Sequence, residues 1–243
     1  MRTKPDLIVS TTARLATSFK AATTTIPIVA VTSDPVAFGI VASLAHPGGN
    51  ITGISVDAGI ELWGKHLQLV REAIPSATNV GFLASRQVWE QSQGRALHDM
   101  ARQAGISLLG PPLASPINQE EYRRVFLAMA QNNVEALIVS DQAENIANQR
   151  VIVRLSEEVR LPTVYPYPTF VDIGGLLAYG TDLVDVFRRQ AGYVDLILRG
   201  AKPGETPFYL ASKFELALNL RTAKALGIAF PTSLLVRANH VIE

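Results

Sequence analysis

Hydroxyl and carboxylate side chains recur where apolar runs end, and at those points this sequence could do chemistry. Ser10-Thr11-Thr12-Ala13 closes the run Leu7-Ile8-Val9 and opens a helical rhythm. Backbone N–H groups at such a helix start, with the hydroxyls of Thr11 and Thr12, suit a carboxylate or another anion; a simple N-cap is the other reading. Ser33-Asp34-Pro35 follows a second apolar run. There the Ser33 hydroxyl can join the carboxylate contacts, and Asp34 either accepts a ligand ammonium or caps a helix expected around Val36–Leu44. Asp141 comes after Ile138-Val139-Ser140, at the carboxyl end of an expected parallel strand, where open α/β sheets place their ligands. Asp182, after Tyr179-Gly180-Thr181, either holds an amino group or caps the helix expected around Leu183–Leu198. Tyr165, Tyr167 and Phe170 gather with Pro166 and Pro168 in one loop, either as an aromatic wall for a flat side chain or as ordinary loop packing. Trp63 shares an apolar helix stripe with Leu62, Leu67 and Val70 and reads as core or interface, while Trp89 falls in a loop after Ser85-Arg86-Gln87.

Catalysis finds no foothold in these residues. His46, His66, His98 and His240 show no metal-ligand spacing and no H-E-x-x-H arrangement. A Gly-x-Ser-x-Gly elbow, a Gly-x-Gly-x-x-Gly fingerprint and a P-loop are all absent, and Gly48-Gly49 and Gly174-Gly175 read as turn glycines. The absence of cysteine removes disulfides, thiolate metal sites, iron–sulfur clusters and Cys nucleophiles together. No cofactor and no metal are expected, and an enzyme on a similar α/β scaffold stands well behind a binding protein.

The elements that must position these groups alternate along the chain. Leu7–Val9 and Ile26–Val31 have buried-strand character, with a helical rhythm across Thr12–Thr25 between them. Val80–Leu83 precedes a helix around Glu90–Ala104, and Ile106–Leu109 follows. A helix around Gln119–Asn132 leads to Ala136–Val139, then a helix around Ile146–Val159, then Pro162–Tyr165. Strands separated by helices mean right-handed βαβ units and parallel sheets, so the fold class is α/β. The turn His46–Asn50 and the glycine pair in Asp172–Gly180 look like crossings on either side of a self-contained block. That pattern predicts two lobes with crossings near Ser55–Asp57 and Tyr179–Asp182, and a hinge cleft for a small ligand that Trp89 could face.

Composition agrees. The chain has 243 residues, of which 48% are hydrophobic and 18% charged, so it has material for a sizeable core. Lys and Arg number 22 against 21 Asp and Glu, a net charge of +1, which excludes a strongly basic nucleic-acid binder. No apolar run approaches the ~18–20 residues of a membrane helix. Met1–Asp6 leads into only three apolar residues, so the sequence as it stands is expected to carry no signal peptide.

A family resemblance rests on a run of motifs in order. Pro47-Gly48-Gly49-Asn50-Ile51-Thr52-Gly53-Ile54-Ser55 is followed by Glu61-Leu62-Trp63-Gly64-Lys65-His66 and the helix to Pro75. Ser33-Asp34-Pro35-Val36, Ala178–Asp182 and Lys213–Leu220 with Thr222–Gly227 complete the series. From Pro5 to Glu243 the chain resembles ABC-transporter substrate-binding proteins of the type I periplasmic-binding fold, in the subgroup that takes aromatic amino acids. The resemblance implies two Rossmann-like lobes, residues 1–56 plus 179–205 and 57–178 plus 206–243, closing on an amino-acid-like ligand without catalysis. Thr11, Thr12 and Ser33 would then face its carboxylate, Asp141 or Asp182 its ammonium, and Tyr165 or Tyr167 its side chain. A membrane permease is the implied partner and the periplasm the implied location.

The sequence departs from the family pattern at its start. Lobe one is expected to be incomplete, because the first strand here matches the family's third. A shortened relative acting in the cytoplasm as a ligand sensor or interaction domain is therefore the alternative. An open lobe also predicts a homodimer, joined through strands 7–9 or 26–31 or the Thr12–Thr25 helix.

Overall fold

The computed structural model describes residues 4–56, 59 and 61–243. The chain starts with β1 (Ile8–Ser10), α1 (Ala13–Ala22), β2 (Ile28–Thr32) and β3 (Ile51–Ser55). It continues through α2 (Glu61–Ala73), β4 (Asn79–Leu83), α3 (Arg86–Glu90), α4 (Ser92–Gln103) and β5 (Ser107–Leu109). Then come α5 (Gln119–Gln131), β6 (Ala136–Val139), α6 (Ala143–Ala147), α7 (Gln149–Glu158), β7 (Thr163–Tyr165), α8 (Pro168–Asp172) and β8 (Leu177–Thr181). It ends with α9 (Leu183–Leu198), β9 (Tyr209–Leu210), β10 (Phe214–Asn219), α10 (Leu220–Leu226), α11 (Thr232–Arg237) and β11 (His240–Ile242). The fold class is α/β, with Rossmann-like parallel sheets.

Two compact units divide the chain: Met1–Ala58 with Thr181–Lys213, and Gly59–Gly180 with Phe214–Glu243. The chain therefore passes from one to the other three times. The crossing foreseen at Ser55–Asp57 ends at Asp57, which lies outside the described residues. One expected boundary is corrected. Residues 206–213 fall in the first unit, because β9 pairs with β3 (Ile54↔Tyr209, Ser55↔Leu210) and the Ala211 N–H bonds the Ser55 carbonyl.

The first unit has a four-stranded parallel sheet in the order β1-β2-β3-β9. Ile8, Ile28, Ala30 and Ile51 pack on one side with Ala16 of α1, and Val31 and Ile54 pack on the other with Val186 of α9. Gly53 lets β3 approach β2: its φ is +149°, and a Cβ there would lie 1.9 Å from the Ala30 carbonyl oxygen. β2 is buried throughout and flanked on both sides, so the dimer contact expected at strand 26–31 is corrected; it is no open edge.

The second unit has a seven-stranded sheet in the order β11-β10-β8-β7-β6-β4-β5. Strands β4 to β8 run parallel. β10 opposes them, since Asp182 N–H bonds the Lys213 carbonyl at one end and Asn219 N–H the Leu176 carbonyl at the other. α2 buries Trp63, His66, Leu67, Val70 and Ala73, spaced as one helix face. Burying each of the larger apolar groups contributes roughly 1.5–3 kcal/mol.

Three expected helices differ. The segment after Pro35 makes a single turn, not a helix to Leu44, because Gly39 takes a left-handed φ of +62° and closes it. The helix expected at Glu90–Ala104 starts earlier, at Arg86, capped by Ser85, and breaks at Gln91. α4 presses so closely on α3 that a Cβ on Gly94 would sit 2.3 Å from the Val88 carbonyl oxygen. The helix expected at Ile146–Val159 is α6 and α7, interrupted at Asn148.

Candidate functional site

Each sheet gathers its polar residues at the carboxyl ends of its strands. In the first unit these are Ser10-Thr11-Thr12 after β1 and Ser33-Asp34 after β2. Thr11 is exposed, and Thr12 is the N-cap of α1, its Oγ1 accepting from Leu15 N–H at 3.2 Å while its carbonyl accepts from Ser10 Oγ. The Ser33 carbonyl accepts from the buried Ser55 hydroxyl. Asp34 Oδ1 accepts from the N–H groups of Val36 and Ala37, both at 2.9 Å, so this carboxylate caps the following turn. Asp182 caps α9, accepting from Asp185 N–H at 2.9 Å.

The rim of the second unit is more elaborate. Asn145 of α6 is fully buried, and its amide donates to the Leu83 carbonyl, the Ser140 carbonyl and Ser140 Oγ, while its oxygen accepts from the Tyr122 hydroxyl. Gln142 Oε1 accepts from Ser85 N–H at 2.8 Å and from Ser140 Oγ at 3.3 Å. The ends of β4 and β6 are thus tied together behind Asp141. Two buried donors, Gln142 Nε2 and Trp89 Nε1, have no hydrogen-bond partner among the described residues. A buried donor left unpaired costs about 1–3 kcal/mol, so both are natural contacts for water or a polar ligand atom.

Tyr167, 8% exposed, stands beside Asp141. Burial, together with the Asp141 charge, pushes its phenol well above the ordinary tyrosine range and keeps it neutral. Gly180 of β8 closes the same corner: a Cβ there would lie 1.8 Å from the Pro166 carbonyl oxygen and 3.5 Å from the Tyr167 ring. Asp141, Tyr167 and Gly180 therefore lie at the ends of neighbouring strands β6, β7 and β8.

Tyr165 does not join them. It is 1% exposed and stacked on Phe170 at 5.0 Å, and burial pushes its phenol up to about 12 against the hydrogen bonds of Ser156 and Thr163. As the last residue of a strand covered on both faces, it fills the core and is no exposed wall. Trp89 is corrected as well: it lies within α3, not in a loop, and packs its ring on Phe82 at 5.3 Å. Ser85, Gln142 and Asn145 carried no expectation. Their only sequence signal is their position, just after β4 and β6. Among the described residues no three His, Asp or Glu side chains gather as metal ligands.

The geometry meets its relatives at this point. Residues 1–242 match the family described as ABC transporter substrate binding protein. A tyrosine-binding protein of Clostridioides difficile (strain R20291) is 26% identical over 229 residues, covering 93% of this chain. The chain spans 64% of that relative's length. Among solved structures, the ABC domain from Streptococcus pneumonia in complex with L-Trp aligns with a TM-score of 0.84 at 24% identity, over 98% of this chain and 81% of that one. A conserved domain protein from Vibrio cholerae aligns with the same TM-score and identity, over 98% of this chain and 79% of that one. The fold is type I periplasmic-binding-protein-like, and the chain belongs to the family of ABC transporter substrate-binding proteins.

Proposed function

We propose that this protein is the solute-binding component of an ABC uptake system and that its ligand is an amino acid with an aromatic side chain. The observation that carries this reading is the corner at the carboxyl ends of β6 and β7, where Asp141 stands beside the neutral, buried Tyr167. A carboxylate there attracts an ammonium, and a phenol ring offers an edge or face to a flat side chain. The named ligands of the relatives, tyrosine and tryptophan, agree with that chemistry. Thr11 and Ser33 on the first unit remain the proposed carboxylate contacts, with the exposed N–H groups that open α1 beside them. Asp34 and Asp182 take capping roles in this reading. Family membership supports delivery to a membrane permease outside the cytoplasm.

The test is thermal denaturation with L-Trp, L-Tyr, L-Phe and, as control, L-Ala. Ligand at about 100 times its Kd stabilises the folded state by about 2.7 kcal/mol. Titration calorimetry then compares Asp141→Ala with Asp99→Ala, an exposed aspartate of α4. Asp141→Ala should lose on the order of 2–5 kcal/mol of binding while the control is unchanged. No stabilisation by any aromatic amino acid at millimolar concentration overturns the ligand class. Equal affinity in the two variants removes Asp141 from the site.

A further inference from the structure

Gln142 opens α6, yet its side chain makes no capping bond to that helix. It reaches instead to Ser85, just after β4. Oε1 accepts from Ser85 N–H at 2.8 Å and from Ser140 Oγ at 3.3 Å, which fixes the sense of the amide. Turned over, it would set Nε2 against the Ser85 N–H, donor against donor. Nε2 is therefore held on the other side. The residue is only partly buried, but Nε2 itself is shielded from bulk water and has no partner among the described residues. The acceptors of the same network are engaged. The Leu83 carbonyl accepts from Ser140 N–H and from Asn145 Nδ2, and the Ser140 carbonyl accepts from Asn145 Nδ2 as well. A donor so fixed and so enclosed calls for one discrete acceptor.

We propose that this acceptor is the α-carboxylate of the ligand, and that Gln142 is a specificity-determining residue: it favours amino acids over the amines that lack the carboxylate. The proposal rests on the aromatic amino-acid reading above. The ligands named for the relatives, tyrosine and tryptophan, differ in their side chains, and the indole N–H of tryptophan only donates. The acceptor group they share is the carboxylate. An ammonium, all donor, is the wrong partner for Nε2 and the right one for Asp141. Asp141 and Gln142 are consecutive after β6, as ammonium and carboxylate sit together on one carbon. Tyr167, after β7, stands on the Asp141 side of this strand end, and Ser85, after β4, binds Gln142 on the other. The two halves of the head group thus meet opposite chemistry across one strand. A carboxylate has two oxygens that each accept more than one bond, so this contact adds to those proposed for Thr11 and Ser33.

The experiment is titration calorimetry on the whole chain with L-Trp and with tryptamine, which differ only in the carboxylate. Gln142→Glu keeps an oxygen for the Ser85 N–H and turns the donor into a charged acceptor. It should weaken L-Trp by about tenfold or more, since hydrogen bonds to charged groups are the strong ones. Tryptamine, the weaker ligand of the unsubstituted protein, should lose nothing or gain. Equal losses for the two ligands would leave Gln142 only the task of joining β4 to β6, and would overturn the proposal while the amino-acid reading stands. Where Gln142→Glu does not fold, or tryptamine does not bind at millimolar concentration, the unsubstituted protein decides. Its Gln142 side-chain amide protons, assigned by NMR, should move downfield on saturation with L-Trp; unmoved signals overturn the contact. No binding of any aromatic amino acid by the unsubstituted protein overturns the ligand class, and this proposal with it.

Discussion

Two single residues show how local chemistry is set by distant neighbours. His66 is 1% exposed on the inner face of α2, and its Nε2–H donates to the Tyr179 carbonyl at 2.6 Å, leaving Nδ1 unpartnered among the described residues. Burial drives its pKa down from 6.5 to about 4, against the smaller upward pull of that carbonyl. The unfolded chain therefore takes up a proton below about pH 6.5, and the folded chain only below about 4. Stability from this group is fully present above pH 6.5 and is lost as pH falls through the window. Between pH 7 and pH 5 the loss is on the order of 2 kcal/mol. Urea unfolding at the two pH values should show a smaller drop for His66→Gln than for the unsubstituted protein; equal drops would clear His66 of the effect. Gly180 is the second case. Its replacement by alanine drives a methyl into the Pro166 carbonyl. It should cost about 1–3 kcal/mol of stability. Because Tyr167 adjoins the same methyl, binding of an aromatic amino acid should also fall. Unchanged affinity for L-Trp would show that this corner is not the ligand's.

At the scale of elements, what the sequence revealed depended on whether the deciding contact was local. β2, β4 and β6 stand out as apolar runs bounded by polar residues, and α5 and α9 announce themselves by the caps Asn118 and Asp182. The α3–α4 break does not, since it depends on how tightly two helices press at Gly94. The turn after Pro35 held a local signal, Gly39, that a helical reading of Val36–Leu44 passed over. The candidate site divides the same way. Asp141 is legible as an acid following an apolar run. Asn145 and Gln142 are not, because their partners, Leu83 at the end of β4 and Ser85 just after it, come 62 and 57 residues earlier in the chain. Tyr165 and Tyr167 look alike in sequence, yet one ends a covered strand and stacks on Phe170 while the other stands beside Asp141. Only the three-dimensional neighbourhood separates them.

At the scale of the whole molecule, the two sheets differ in how completely their strands are flanked. β6 lies between β4 and β7, and all four of its residues are fully buried. The Leu137 N–H bonds the Pro162 carbonyl at 2.8 Å in the middle of that sheet. β1 is a three-residue edge. The Ile8 N–H bonds the Pro27 carbonyl, so strand alternation turns the Val9 N–H away from β2, toward the open side. Protection from hydrogen exchange ranges from almost nothing at exposed edges to the full unfolding free energy in central strands. Leu137 and Ile138, with Phe82 beside them in β4, should therefore be the slowest amides. Val9 should be the fastest strand amide of its sheet, with Val29–Val31 in between. Exchange measured by NMR on uniformly labelled protein checks this order. Protection at Val9 equal to that at Leu137 would mean that the unequal flanking of the two sheets does not govern their stability.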